Sequence, residues 1–188
     1  YLNNNGPKIV KEFEKNRESN IVNFGVGLNM VKSLRHWGIY TKVCDQDYNL
    51  TDFGNKIFST EKSYDPYLEK TPTLWLLHFE LASNPELTTW FYAFNYYESL
   101  SFDREKLTND IYAISQFSKW RGNSPNTIKR DVDCFIRTYT VSTKKGELTE
   151  DSLECPLAEL NLISNAGSRN TFEFQRGPKN SLSLYVFE

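Results

Sequence analysis

The sequence predicts a mainly helical α+β protein with short β-hairpins, arranged as two winged-helix or helix-turn-helix-like lobes joined by a buried helical hub. Three observations predict it. Apolar residues recur at helical spacing through most of the chain; one nearly continuous apolar run, TLWLLHFEL, sits mid-chain; and short alternating stretches separated by turn residues follow the helices in each half. The first lobe is placed at 1–60, the hub at 61–100, and the second lobe, with its C-terminal hairpin, at 101–188.

Taken in order, Pro7 to Arg17 reads as a helix with Ile9, Val10 and Phe13 on its apolar side. The next runs from about Leu28 to Trp37, where Val26, Met30, Leu34 and Trp37 form one stripe and Gly38 stands at the C′ position. Tyr40 to Cys44 and Tyr48 to Leu50 flank Asp45-Gln46-Asp47 as a short hairpin, after which Thr51 caps a helix from Asp52 to Phe58. Thr73 to Leu81 is apolar almost all round and so a buried helix; Ser83-Asn84-Pro85 opens another, Glu86 to about Tyr97. In the second lobe, Asp103 to Phe117 carries Leu107, Ile111 and Ile114 inward. Ser124-Pro125 starts a helix whose buried stripe is Ile128, Val132, Phe135, Ile136 and Tyr139. Leu153 to Leu160 is a short helix broken by Pro156, and Thr171 to Phe187 splits at RGPKN into two strands, FEF and LSLYVF.

At 188 residues the chain is long enough to bury a core without disulfides or metals, and 13 Phe, 11 Tyr and 4 Trp speak against disorder. Cys44, Cys134 and Cys155 form no C-x-x-C pair, which fits reduced thiols and a cytoplasmic setting. No apolar run approaches the ~18 residues of a membrane span, so no membrane partner is expected. The start, YLNNNGPKIV, lacks a signal-peptide layout; beginning at Tyr1, the chain reads as a piece of a longer protein.

A net charge of −2 supplies no global attraction to nucleic acid. Local balance differs. Lys32, Arg35 and Lys42 face no acid between Asn29 and Val43, and Lys119 to Arg137 carries an excess of +3. Asn29, Lys32, Ser33 and His36, with Arg35 at the flank, form a polar helix side of the kind that reaches phosphates or base edges. Lys129, Arg130 and Arg137 do the same on the second helix, and Lys179 in RGPKN is a candidate wing contact.

Catalytic patterns are sparse. His36 and His78 are the only histidines, with no close Cys or His spacing, so no metal ligand set is assigned. His78 reads as a hydrogen-bonded core histidine. Gly25-Val26-Gly27 lacks the third glycine and the preceding strand of a phosphate loop, which leaves close helix crossing as the reading of those glycines. Asp131 and Asp133 point about 200° apart on a helix; each is expected to pair with Lys129, Arg130 or Arg137 rather than share an ion. The catalytic residues are left unknown. Cys155, with Glu150, Asp151 and Glu154 as its nearest charges in sequence, reads as inert.

The blocks FGVGLNMVKSLRHWG, LTDFGNKIF, YDPYLEKTPTLWLLHFEL, TTWFYAFN, NTIKRDVDCFIRTY and CPLAELNLI together resemble a bacterial family long catalogued as a domain of unknown function. It is the SspB-type family of DNA phosphorothioation systems. The resemblance implies a cytoplasmic antiviral-defence component that handles DNA alongside a cysteine desulfurase, an ATPase and an ATP-pyrophosphatase-like sulfur transferase. It also implies a DNA-nicking subunit, for which a divalent metal such as Mg would be the cofactor, and an N-terminal block before the GVG stretch that this chain lacks. Three readings follow: a DNA-binding protein, a nicking endonuclease in its own right, and an adaptor holding partner proteins. For the adaptor, FYAFNYYESLSF would furnish a docking patch if exposed. Self-association stays open.

Overall fold

The computed structural model describes residues 28–58, 63–117, 124–141, 155–167 and 170–182. The chain divides into two compact units, Tyr1–Thr73 and Leu74–Glu188. The helix expected over Pro7 to Arg17 lies outside the described residues.

In the first unit, α1 spans Leu28–Tyr40 and α2 Asp52–Phe58. Helix α1 runs through Gly38 rather than stopping there. Gly38 is buried, its carbonyl accepts from the Cys44 amide at 2.8 Å, and a Cβ there would lie 3.4 Å from Cys44 Sγ. Gly38 is helical and a Cβ there would meet Cys44 only at ordinary contact; the left-handed residue that turns the chain is Lys42, at φ 56°. Met30, expected in the buried stripe, is 49% exposed.

The hairpin expected between Tyr40 and Leu50 contracts to one antiparallel bridge, Cys44 to Leu50. Asp45 organises the turn instead, its carboxylate accepting from the Asn49 amide at 2.9 Å and from Asn49 Nδ2 at 3.2 Å. Thr51 then caps α2 as its sequence suggests: its hydroxyl accepts from the Gly54 amide at 3.0 Å and donates to the Lys42 carbonyl at 2.6 Å. Gly54 meets the backbone directly, for a Cβ at this position would fall 2.1 Å from the Val43 carbonyl oxygen. After α2, the buried Asp65 accepts from the amides of Glu69 (2.8 Å) and Lys70 (3.0 Å), which sets the approach to α3, Thr71–Ser83.

The second unit takes up Leu74, Trp75, Leu77 and Leu81 of α3, all buried. Helix α4 spans Thr88–Asn95. It begins later than expected because Asn84 forms a turn of its own, its side chain accepting from the Glu86 amide at 3.0 Å and its carbonyl from the Leu87 amide at 3.1 Å. Strand β1, Ser101–Asp103, leads into α5, Arg104–Phe117, which Asp103 caps through the Lys106 amide at 2.7 Å. Helix α6 is Pro125–Tyr139, with Ser124 at the N-cap accepting from the Thr127 amide at 3.2 Å and Pro125 at the first helical position. A 3₁₀ turn, Pro156–Leu160, precedes β2, Ile163–Asn165, and β3, Thr171–Phe174.

These strands form an antiparallel sheet of order β1-β3-β2, with Phe102 opposite Phe172 and Ile163 opposite Phe174. Both edges of β3 are therefore occupied by segments earlier in the chain, while the expected partner strand LSLYVF falls almost wholly outside the described residues. Among the described residues the architecture is six α-helices and this small sheet, an α+β fold.

The core of the unit is aromatic. Phe135 of α6 lies 5.6 Å from Trp90 and 5.4 Å from Phe94 between ring centroids, and Phe94 in turn meets Tyr139 at 5.0 Å and Phe174 at 5.9 Å. Most of these rings meet edge to face, the arrangement their quadrupoles favour. Phe102 closes the cluster on the sheet, 4.9 Å from Phe174 and stacked 5.6 Å from Phe172.

Truncating Phe135 to Ala should cost about 3–5 kcal/mol in urea unfolding, since it empties the centre of this cluster. Gly54→Ala should destabilise the first unit by about 1–3 kcal/mol through the Val43 clash. Hydrogen exchange of amides 43–55 would report it as loss of protection.

Candidate nucleic-acid interface

Helix α6 has two unlike sides. Ile128, Val132, Phe135, Ile136 and Tyr139 are all buried, so the intervening Lys129, Arg130 and Arg137 are turned outward and exposed. Arg137 folds back along its own helix, Nε donating to the Asp133 carbonyl at 3.2 Å. Of the two acids in their midst, Asp131 is exposed, while Asp133 is half-buried and paired with Arg104 of α5 at 3.1 Å. The partner of Asp133 thus comes from a neighbouring helix, not from the lysine and arginines of α6 as the sequence suggested. Because Arg104 neutralises Asp133, the charges of Lys129, Arg130 and Arg137 are not cancelled by it. Arg104 was missed because it sits in DREKL, a charged string with no distinguishing spacing.

The candidates on α1 are more mixed. Lys32, Ser33 and His36 are exposed. Arg35 is turned onto the loop after α1: its guanidinium lies 4.0 Å from the Tyr48 ring centroid and donates to the Tyr48 hydroxyl. His36 packs 4.4 Å from the Tyr40 ring. The side chain of Asn29 lies outside the described residues, as do Lys119 and Arg121. Lys179 is half-buried and donates to the Gln175 carbonyl.

His78 is the core histidine its helix predicts. Its Nδ1 is 2.9 Å from the buried Tyr139 hydroxyl, and its ring meets Phe94 edge to face at 4.7 Å. Burial, reinforced by the charge of Lys179, pushes its pKa down to about 4 from 6.5. The ring is therefore neutral at physiological pH and shares a hydrogen bond with the Tyr139 hydroxyl through Nδ1, in the direction its tautomer sets. Cys44, Cys134 and Cys155 are free thiols whose pKa values burial raises, the opposite of an activated nucleophile. Among the described residues no group of three or more His, Cys, Asp or Glu side chains could hold a metal ion. Among them, too, no helix is long and apolar enough to cross a membrane.

The unfolded chain binds a proton at His78 below pH 6.5 that the folded chain refuses until about pH 4. Stability contributed by the neutral ring is thus fully present above pH 6.5 and lost as pH falls toward 4. His78→Gln should flatten the pH dependence of urea unfolding across this window by about one proton.

Three comparisons bear on this site. The family model described as "Protein of unknown function (DUF4007)" matches residues 4–188. No curated protein matches the chain. Two crystal structures share the fold. One is of SspB, with TM-score 0.72 and 30% identity, matched over 90% of this chain and 54% of that one. The other is of magnesium ion-bound SspB, with TM-score 0.74 and 28% identity, matched over 96% of this chain and 60% of that one. The chain thus spans little more than half the length of the SspB chains it matches. With a family match running over almost all of its residues and the SspB fold beneath it, the chain belongs to the DUF4007 family and is of the SspB type.

Proposed function

We propose that this chain is the DNA-binding component of a phosphorothioate modification and defence system of the SspB kind, acting in the cytoplasm. The observation that carries the reading is the exposed Lys129, Arg130 and Arg137 on α6, with Asp133 neutralised by Arg104, in a chain of SspB fold. Three exposed cations on one helix suit a duplex backbone, where each neutralised phosphate releases a counterion. Lys32, Ser33 and His36 offer a second contact surface on α1, and a winged-helix mode with α1 and α6 as the reading helices belongs to the same proposal. Its partners would be DNA and the sulfur-transfer proteins of such a system: the cysteine desulfurase, the ATPase and the ATP-pyrophosphatase-like enzyme.

Nicking is the finer form of this reading. One SspB structure holds a magnesium ion, but the described residues of this chain offer no acidic cluster for one. We therefore assign no catalytic step to them; a cutting chain would draw its carboxylates from elsewhere. In the alternative form, the chain binds partner proteins and does not touch DNA.

Reversing charge at Lys129 and Arg130 together should weaken binding to duplex DNA in a gel shift at least about tenfold and reduce the salt slope by about 0.9 for each phosphate no longer neutralised. Unchanged affinity and slope would refute the α6 surface. Incubating the chain with supercoiled plasmid, with and without Mg²⁺, separates the two finer forms: metal-dependent relaxation marks the nicking subunit, whereas absence of both cutting and DNA affinity leaves the adaptor.

A further inference from the structure

At the end of α4 the chain builds a second feature that the DNA reading does not use. An open pocket of about 630 Å³ is lined by Tyr92, Tyr96, Tyr97 and Glu98 at the end of α4 and by Lys106 and Asp110 of α5. Its size falls in the range of ordinary ligand sites. The backbone of the rim is held in place, for Arg176 donates to the carbonyls of Tyr97 and Glu98 at 3.0 and 3.1 Å. Tyr96 is 62% exposed, so one wall presents an aromatic ring to solvent.

The chemistry of the lining is lopsided. Glu98 and Asp110 have no salt-bridge partner among the described residues, and Lys106 is their one cationic neighbour in the lining. Tyr97 is only 7% exposed, and its hydroxyl has no hydrogen-bond partner among the described residues. A buried hydroxyl left unpaired costs free energy unless a bound group completes it. Burial first, then the nearby Asp110 carboxylate, raises the phenol pKa of both Tyr92 and Tyr97.

We propose that this pocket docks an arginine-bearing segment of a partner protein. A guanidinium offers only donors and is flat: it can stack on Tyr96 or Tyr92 and donate in parallel to the Asp110 or Glu98 carboxylate. A phosphate or an acidic peptide would meet two carboxylates with a lone lysine to offset them. Lys106, whose Nζ lies 5.9 Å from the Tyr97 ring centroid, occupies the position of a weak internal competitor for the same rings and acids. The inference stands whether or not the chain binds DNA.

The test is fluorescence anisotropy of a short labelled peptide carrying two arginines spaced by glycine, titrated with the whole chain. Binding should weaken about fivefold or more in Asp110→Asn and in Tyr96→Ala, and the lysine version of the peptide should bind less tightly. Lys106→Ala should strengthen binding, an effect that misfolding cannot imitate. A labelled oligothymidylate serves as the second probe. If it binds, loses affinity in both Tyr96→Ala and Lys106→Ala, and the peptide is indifferent to every variant, the pocket takes bases and the proposal fails. It fails equally if the arginine peptide does not bind the unsubstituted chain. Neither failure touches the α6 reading, which the gel shift of Lys129 and Arg130 variants decides separately.

Discussion

The second unit depends on one helix being apolar along one side and nowhere else. Ile128, Val132, Phe135, Ile136 and Tyr139 recur at helical spacing, so α6 can satisfy water and core at once only by sinking that stripe. Everything around it follows. Trp90 and Phe94 of α4 come down on Phe135; Phe102 and Phe174 bring the sheet to the same cluster; His78 of α3 is desolvated over Tyr139. The same phasing leaves Lys129, Arg130 and Arg137 outside. The basic surface is thus the complement of the core, set by the burial of the other side, with Arg137 also held back on its own helix through the Asp133 carbonyl.

Much of this was legible because the signals were local. Ser124-Pro125 announces the start of α6, and its stripe has an unambiguous period; Thr51 fixes α2 to the residue. What could not be read depended on distant partners. Ser101–Asp103 is too short to register as a strand until β3, far along the chain, arrives beside it. Gly38 looks like a helix stop, yet the helix runs through it and the turn falls to Lys42. Of the candidate site, the outward lysine and arginines of α6 followed from phase alone. Arg35 and Lys179 did not, since a long cationic side chain can lie back on its own chain, as both do here, as readily as extend. Asp133 was recognised as paired, but its partner belongs to another helix.

Surfaces of opposite character are therefore carried by different elements of the second unit. The cations of α6 suit a polyanion, whereas the tyrosines and carboxylates around the end of α4 suit a cation. If both proposals hold, such a division would let the two ligands bind through chemistries that do not compete, because an anion is disfavoured at the carboxylates and a cation at α6.

The position of β3 between β1 and β2 has a temporal meaning as well. Ser101 must wait for Glu173, and Ile163 for Phe174, so the sheet closes only once β3 has been made. The connection between the outer strands carries α5, α6 and the 3₁₀ turn, so the contacts of the sheet are distant in sequence and slow to close. Until β3 is made, Phe102 of β1 lacks both of its ring neighbours on the sheet, Phe172 and Phe174.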